Sequence, residues 1–301
     1  MSGDLVARIR QLARERRAII LAHNYQPPEV QDIADITGDS LGLSREAAAT
    51  DAEVIVFCGV HFMAQTAKLL SPDKTVVMPE PAAGCPMADM VDPDRLRAFK
   101  AQHPGAPVVA YVNTTAEVKA ESDICCTSAN APQVVRSLGD VPEVLFVPDQ
   151  HLARWVQQQT GANIVPYPGF CPTHMHITAD LVRRAKQAHP EAVVIAHPEC
   201  RQEVVELADK VLSTSGMLRF CRETDAAEVI VATEQGILHP LQQASPGKAF
   251  YGFEEAVCPN MKRTTLAKVV RSLEELVFEI TIPQDIAERA RQAVQRMVEI
   301  G

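Results

Sequence analysis

The sequence has no excess of positive charge, no long apolar segment and no signal-like N-terminus, and each absence argues against a class of protein. Its formal net charge is −9 and its pI is about 5.5, unlike a nucleic-acid-binding or anionic-membrane surface. No uninterrupted apolar run approaches the roughly 18 residues of a membrane span. The N-terminal stretch MSGDLVARIRQLARERR is too charged for a signal peptide. We expect a cytoplasmic protein with no nucleic-acid or membrane partner, in which an anionic substrate meets a locally positive site.

The eight cysteines lack the close spacing of the common metal motifs. No CxxC or CxxxCxxC segment is present, which argues against a zinc ribbon, a ferredoxin motif or a radical-type cluster loop. A chain of 301 residues with 47% apolar content can bury a core without disulfides, and the cytosol keeps thiols reduced. Ligation of a metal or cofactor is therefore the better interpretation for some of these cysteines.

A strand, an amphipathic helix, a second strand and a Cys-Pro pair occur in the same order three times. The three copies end at Cys85, Cys171 and Cys258, which are separated by 86 and 87 residues. That period is the size of a small domain and is longer than the usual solenoid repeats. We therefore predict that three similar domains each bring one cysteine to an equivalent place.

Apolar strands and amphipathic helices alternate along the whole chain. This predicts an α/β protein of three α/β/α sandwich domains with parallel four-stranded sheets. No long Gly/Ser linker separates the domains, so we expect tight packing about a pseudo-threefold axis. With boundaries near Gly105 and Glu191, the predicted domains are residues 1–104 with an N-terminal helix, 105–190, and 191–301 with C-terminal helices. The tail from Pro283 to Ile300 predicts a helix whose buried stripe is Ile286, Ala290, Val294 and Val298.

Polar residues follow the first two strands of each copy, where ligands bind in an open parallel sheet. The first strands end in His23-Asn24-Tyr25, Tyr111-Val112-Asn113 and His197-Pro198-Glu199, and the second strands end at Ser40, Ser128 and Thr214. These three hydroxyls precede the repeated cysteines by 45, 43 and 44 residues. A hydroxyl at a helix N-terminus lies beside unpaired backbone N–H groups that hold carboxylate or phosphate. Three such helix starts would suit a small polyanion.

Simpler interpretations exist for each residue type taken alone. The three hydroxyls could be ordinary helix N-caps, the cysteines could be buried apolar residues, and the histidines could be hydrogen-bonded strand ends. Cys58, Cys125, Cys126, Cys200 and Cys221 suit that apolar role. Three converging thiolates could hold zinc with an open position, or three irons of a 4Fe-4S cluster. An iron–sulfur sensor and a zinc-dependent aldolase or hydrolase are therefore alternatives to a cluster enzyme.

Nine short segments resemble one enzyme family over nearly the full chain. They are AHNYQ (22–26), GDSL (38–41), GCPMADM (84–90), YVNT (111–114), CTSAN (126–130), GFCPTH (169–174), AHPEC (196–200), STSGM (213–217) and CPNMKRTTL (258–266). Together they are similar to quinolinate synthase. The resemblance implies an oxygen-sensitive transferase of de novo NAD biosynthesis, with three α/β/α domains around a central 4Fe-4S cluster, one per chain. It implies condensation of iminoaspartate with dihydroxyacetone phosphate to quinolinate, phosphate and water, and a functional link to L-aspartate oxidase or aspartate dehydrogenase.

The resemblance also implies roles for individual residues. The cluster ligands would be Cys85, Cys171 and Cys258. The substrate contacts would be His23, Ser40, Tyr111, Asn113, Ser128, His174, His197, Glu199 and Thr214, and the catalytic residues would include Glu199, Tyr25, His23 and His197. Tyr25 and His174 match family positions close to the cluster. Some members carry CxxC at the last cysteine, whereas CPNM stands here, so no disulfide switch is implied.

Three mechanistic expectations follow. Glu199 is the only carboxylate at the aligned strand ends, so we expect it to be the principal general base with a pKa raised by partial burial. The alternative is a structural role for Glu199, in an ion pair with Arg201 or His197. We expect the hydroxyls to hold carboxylates and phosphate while the imidazoles offset their charge. Lys262 and Arg263 are either electrostatic helpers or a solvated basic turn.

Overall fold

Three parallel sheets of four strands form the framework of the protein in a computed structural model that describes residues 2–300. Each sheet has the same strand order, second-first-third-fourth in chain order, and all neighbouring strands are parallel. The predicted α/β class with three four-stranded parallel sheets is therefore confirmed. In each sheet the chain passes from the first strand to the second on one side, and from the third strand to the fourth on the other side. This reversal of strand order opens a crevice at the carboxyl ends of the first and third strands.

The strands are, in chain order, β1 Ala18–His23, β2 Ile36–Gly38, β3 Val54–Cys58, β4 Thr75–Val77, β5 Val108–Tyr111, β6 Ile124–Cys126, β7 Val144–Val147, β8 Ile164–Pro166, β9 Val193–Ala196, β10 Lys210–Val211, β11 Glu228–Ala232 and β12 Ala249–Tyr251. The helices are α1 Ser2–Glu15, α2 Pro28–Ile33, α3 Ser40–Ala49, α4 His61–Leu70, α5 Pro93–Gln102, α6 Ala116–Ala120, α7 Ala131–Ser137, α8 Gln150–Thr160, α9 Pro172–Met175, α10 Ala179–Ala188, α11 Gln202–Val205, α12 Thr214–Glu223, α13 Leu238–Ala244, α14 Leu266–Glu275 and α15 Gln284–Glu299, and single 3-10 turns cover Ala88–Met90 and Gln235–Ile237. We call the parts of the chain that carry β1–β4, β5–β8 and β9–β12 the first, second and third repeats.

Each helix that follows a Cys-Pro pair packs on the next repeat. Helix α5 contacts α6 of the second repeat, α10 contacts α11 and β11 of the third, and α14 contacts α1 and β3 of the first. All three begin at a side-chain cap, since Asp92, Thr178 and Thr265 accept hydrogen bonds from backbone N–H groups of the first turn. The repeats therefore interlock in a cycle. The boundaries near Gly105 and Glu191 stay predictions.

The C-terminal helix α15 packs on the first and second repeats. It contacts α3, α4, α6 and β6, and Asn130 donates to the carbonyls of Met297 and Ile300 at 3.0 and 2.8 Å. Its buried residues are Ala290, Ala293, Val294 and Met297. The predicted buried stripe is therefore correct for Ala290 and Val294, whereas Ile286 and Val298 are only partly buried. One continuous apolar core joins the inner faces of all three sheets. Within residues 2–300, no helix combines the length and apolarity that crossing a membrane requires.

Candidate active site

All thirteen residues predicted for the site lie around a single cavity of about 220 Å³. The lining includes, from the first repeat, His23, Tyr25, Ser40 and Cys85, from the second, Tyr111, Asn113, Ser128, Cys171 and His174, and from the third, His197, Glu199, Thr214 and Cys258. The strand ends predicted to converge do so, because the carboxyl ends of β1, β5 and β9 meet at this cavity.

The helix-start hydroxyls are not the N-caps of their helices. Asp39 caps α3 by accepting from Gly42 N at 2.8 Å, and Ser213 caps α12 by accepting from Gly216 N at 3.2 Å. Ser40 and Thr214 are therefore the first helical residues, and their side chains line the cavity. The expectation of a third helix start is wrong for Ser128, because α7 begins only at Ala131.

His23 and His197 occupy equivalent positions and have the same tautomer. The Nδ1 atom of His23 accepts from Tyr25 N at 3.1 Å, and that of His197 accepts from Glu199 N at 3.3 Å. Their protons are therefore on Nε2, and Nε2 of His197 lies 3.1 Å from Ser128 Oγ. Burial is the main cause that lowers the pKa of His23 to about 3 and that of His197 to about 4. The imidazoles were expected to offset the charge of the bound carboxylates and phosphate, and His23 and His197 do not do so at neutral pH, where they are neutral N–H donors.

Glu199 is 4% exposed and contacts two side chains of the second repeat. Tyr111 donates its hydroxyl to Oε1 at 2.5 Å, and His174 Nδ1 lies 2.8 Å from Oε2. Burial alone would raise the pKa of Glu199, but the close contact with His174 and the hydrogen bond from Tyr111 lower it below its usual value. The expectation of a raised pKa is therefore wrong. Of the two alternative ion-pair partners, His197 lies 3.9 Å away, whereas the guanidinium of Arg201 donates to Met175 O.

Thr233 extends the contacts of Glu199 to Tyr25 and has no counterpart among the sequence predictions. Its Oγ1 atom lies 2.8 Å from His174 Nε2 and 2.6 Å from the hydroxyl of Tyr25. A continuous chain of side chains therefore runs from the Glu199 carboxylate through His174 and Thr233 to the Tyr25 phenol. It crosses all three repeats. The carboxylate–imidazole–hydroxyl order is one in which an imidazole can take a proton while a carboxylate stabilises the resulting charge.

The three repeated cysteines differ from the other five in accessibility. Cys85, Cys171 and Cys258 are partly exposed and line the cavity, whereas Cys58, Cys125, Cys126, Cys200 and Cys221 are buried. Burial in the protein raises the pKa of Cys85 to about 12 and raises those of Cys171 and Cys258. Among residues 2–300, Cys171, His174 and Glu199 form the one group of three potential ligands whose donor atoms all lie within 4.8 Å of one another. The three repeated thiols do not form so tight a group.

A partly buried ion pair at the cavity wall joins the Cys258 loop to Tyr25, and its carboxylate, Glu234, lines the cavity. Lys262 Nζ lies 2.8 Å from Glu234 Oε1 and donates to Tyr25 O at 2.5 Å, while Glu234 Oε1 also accepts from Cys258 N at 3.0 Å. Gly236 is required beside this pair, since a Cβ atom there would lie 2.7 Å from the Tyr25 backbone. Lys262 thus holds backbone and carboxylate groups, and Arg263 is exposed and does not line the cavity.

Comparisons with known proteins point to one family. The family described as "Quinolinate synthetase A protein" matches residues 7–299. The chain is 55% identical over 299 residues to a protein of Desulforudis audaxviator named "Quinolinate synthase", covering 99% of both chains. It is 54% identical over 300 residues to the "Quinolinate synthase" of Thermodesulfovibrio yellowstonii, again covering 99% of both chains. It is 52% identical over 299 residues to "Quinolinate synthase 1" of Methanosarcina acetivorans, covering 99% of this chain and 98% of that one.

Proposed function

The chain belongs to the quinolinate synthase family, and we propose that it condenses iminoaspartate with dihydroxyacetone phosphate to give quinolinate, phosphate and water for NAD biosynthesis. The observation that carries this proposal is the composition of the cavity. Three partly exposed cysteines, one from each repeat, line the same cavity as Tyr25, Glu199 and the neutral imidazoles of His23 and His197. This set offers both soft metal ligands and groups that move protons.

We propose that Cys85, Cys171 and Cys258 hold one 4Fe-4S cluster. Three thiolates suit the soft irons of such a cluster and leave one iron without a protein thiolate. A single four-coordinate zinc fits these thiols less well, because Zn–S bonds of about 2.3 Å place two sulfurs about 3.8 Å apart, and the three thiols do not lie within 4.8 Å of one another. When bound, the cluster would supply a Lewis acid for dehydration.

The chain from Glu199 to Tyr25 supports a proton-transfer role for the side chains. Burial, with Glu199 nearby, raises the pKa of the Tyr25 phenol above its usual value, so Tyr25 is protonated at neutral pH. It can donate to Thr233 while Thr233 donates to His174 Nε2, and Glu199 then stabilises the proton on the imidazole. We therefore assign Tyr25 as the group that exchanges protons with the ligand and the Glu199–His174 pair as the base behind it. Glu199 keeps a catalytic role, although its lowered pKa makes it a poor base by itself.

Substrate anchoring follows from the donors that face the cavity. The N-terminal turns of α3 and α12 present backbone N–H groups together with the hydroxyls of Ser40 and Thr214, an arrangement that favours carboxylate or phosphate. Ser128 and Nε2–H of His23 and His197 add neutral donors. Asn113 has a buried Oδ1 without a hydrogen-bond partner, so it is poised to accept from the ligand's nitrogen or hydroxyl. The unstable imine substrate would come from an oxidase or dehydrogenase acting on L-aspartate.

The test is quinolinate formation by protein purified and assayed without oxygen. Iron and sulfide analysis together with absorbance near 400 nm, about where Fe–S charge-transfer bands lie, would identify the cluster. We expect about four irons per chain and quinolinate formed from the two substrates. Zinc at one per chain with no iron, or a loaded protein that makes no quinolinate, would contradict the proposal.

A further inference from the structure

The buried ammonium group of Lys119 is hydrogen-bonded to the residues on both sides of Asn113. Lys119 on α6 is 0% exposed, and its Nζ atom donates to Val112 O at 2.8 Å and to Thr114 O. Asn113 lies between these two carbonyls and lines the cavity. The same Nζ lies 5.6 Å from the centre of the ring of Phe62, a residue that also lines the cavity. The position of Asn113 therefore depends on a side chain that does not itself reach the cavity.

The first repeat has the same arrangement with a different residue. Gln31 Nε2 donates to Asn24 O at 3.0 Å and to Gln26 O at 2.8 Å, the carbonyls on both sides of Tyr25. Gln31 follows His23 by eight residues, as Lys119 follows Tyr111. The equivalent position in the third repeat is Val205, which has no donor, and there Pro198 restricts the backbone beside Glu199. The equivalence of Gln31 and Lys119 shows that the geometry needs only an N–H donor, so the charge of Lys119 calls for a separate reason.

That reason lies in the charge of the cavity. Its lining includes Asp39, Glu199 and Glu234 but, within the described residues 2–300, no lysine or arginine, and His23 and His197 are neutral. No carboxylate of the described chain lies within the 4.0 Å ion-pair distance of Lys119. Burial lowers the pKa of Lys119 to about 8, so the ammonium is still mostly charged at neutral pH, and a negative group nearby would stabilise that charge. A dicarboxylate or phosphate ligand beside Asn113 would be such a group.

We propose that Lys119 is a positioning residue that holds Asn113 in the cavity and whose positive charge favours the bound anionic ligand. The identity of that ligand rests on the proposed function, whereas the hold on Asn113 does not. Two substitutions separate the two contributions. Lys119→Gln introduces the residue that occupies the equivalent place in the first repeat, keeping an N–H donor but removing the charge. Lys119→Met removes both the donor and the charge.

Backbone positioning is measured by hydrogen exchange of the segment 111–116 in the protein as purified without oxygen, with no substrate added. We expect wild-type exchange in Lys119→Gln and at least tenfold faster exchange in Lys119→Met. The matched control is Lys248→Met, because Lys248 donates to Thr224 O and Ala226 O at 2.6 and 2.7 Å but does not line the cavity. It should leave exchange of 111–116 unchanged. Wild-type exchange in Lys119→Met would overturn the positioning role.

The charge is tested with the cluster-loaded protein by calorimetric binding of quinolinate, a dicarboxylate, and by steady-state kinetics. For Lys119→Gln we expect affinity to fall about three- to tenfold and KM to rise similarly, with kcat within about twofold. For Lys119→Met we expect kcat/KM to fall about 10²-fold, since Asn113 is displaced. In an Asn113→Ala background, Lys119→Met should add less than about a tenfold further loss. Unchanged quinolinate affinity in Lys119→Gln, or fully additive losses, would overturn the proposal. A wild-type protein that makes no quinolinate would refute the proposed function and leave the exchange result standing.

Discussion

Thr233→Val is the substitution that most directly tests the proposed proton path from Tyr25 to Glu199. The Thr233 hydroxyl lies 2.6 Å from the Tyr25 hydroxyl and 2.8 Å from His174 Nε2. It is the contact that joins them. Valine has nearly the same shape but no oxygen, so both groups lose this partner. Thr233 is 1% exposed, which limits replacement of the lost hydroxyl by solvent.

The expected effects follow from general magnitudes. Positioned acid–base assistance contributes roughly 10²–10⁴-fold to a rate, so we expect kcat to fall at least about 10²-fold. A buried group that loses its partner costs about 1–3 kcal/mol, so the free energy of unfolding should fall by about 2 kcal/mol or more. Quinolinate formation is measured without oxygen, at matched iron content, and stability is measured by urea unfolding.

Thr233→Ser is the matched control because it keeps the hydroxyl and removes only a methyl group. It should retain kcat within about tenfold of the wild type. If Thr233→Val with a full cluster turns over within about threefold of the wild type, the chain of contacts from Tyr25 to Glu199 carries no proton in the rate-limiting step. Tyr25 would then act without His174 and Glu199.

The other predictions concern Glu199 and the cysteines. Glu199→Gln keeps the volume and hydrogen bonding of the side chain but removes the negative charge beside His174. We expect turnover at least about 10²-fold lower, with full iron content and retained quinolinate binding. Near-normal turnover would remove Glu199 from the mechanism. Cluster binding should be abolished by each of the substitutions Cys85→Ser, Cys171→Ser and Cys258→Ser, and kept by Cys125→Ser, which changes a buried cysteine. Iron analysis of protein reconstituted without oxygen distinguishes these outcomes. Full iron content in Cys171→Ser would overturn the ligand assignment. Because burial raises the pKa of all three thiols, metal-free protein holds them protonated at neutral pH, so loading should release about three protons from the thiols, beyond those that sulfide releases on entering the cluster, and should become weaker as pH falls. A pH indicator in weakly buffered solution measures the total release, and a total no larger than the sulfide supplies would mean that the thiols do not bind as thiolates.

The sheets and the location of the cavity could be predicted because they depend on patterns local in sequence. Apolar runs such as that of β1 and the three Cys-Pro pairs repeat in register, and parallel strands of one order place their carboxyl ends at equivalent points. Partner choice across repeats could not be predicted in this way. That α5, α10 and α14 pack on the next repeat depends on shape complementarity between distant segments, which hydrophobic periodicity does not encode.

The role of Thr233 and the lowered pKa of Glu199 were not predicted from the sequence, for related reasons. Thr233 follows the third strand of its repeat, and a comparison limited to first and second strands passes over that position. Comparison of all third strands would have placed Thr233 beside the cavity, although not in contact with Tyr25. The lowered pKa of Glu199 depends on His174 and Tyr111, which come from another repeat. A sequence alone gives burial and local charge, and for Glu199 these predicted the opposite direction.

Divergence among the three repeats accounts for the chemistry of the cavity better than their symmetry does. Tyr25, Asn113 and Glu199 occupy the same place, two residues after His23, Tyr111 and His197. A cavity with three copies of one group could bind a ligand but would offer no acid–base difference between its sides. Here the equivalent positions supply a phenol with a raised pKa, a neutral amide and a carboxylate with a lowered pKa. The supporting residues diverge in the same way, since an amide holds Tyr25 and an ammonium holds Asn113. Exchanging the two, as in the double variant Gln31→Lys with Lys119→Gln, should therefore keep both loops in place yet weaken quinolinate binding about three- to tenfold, because the positive charge is moved from Asn113 to Tyr25.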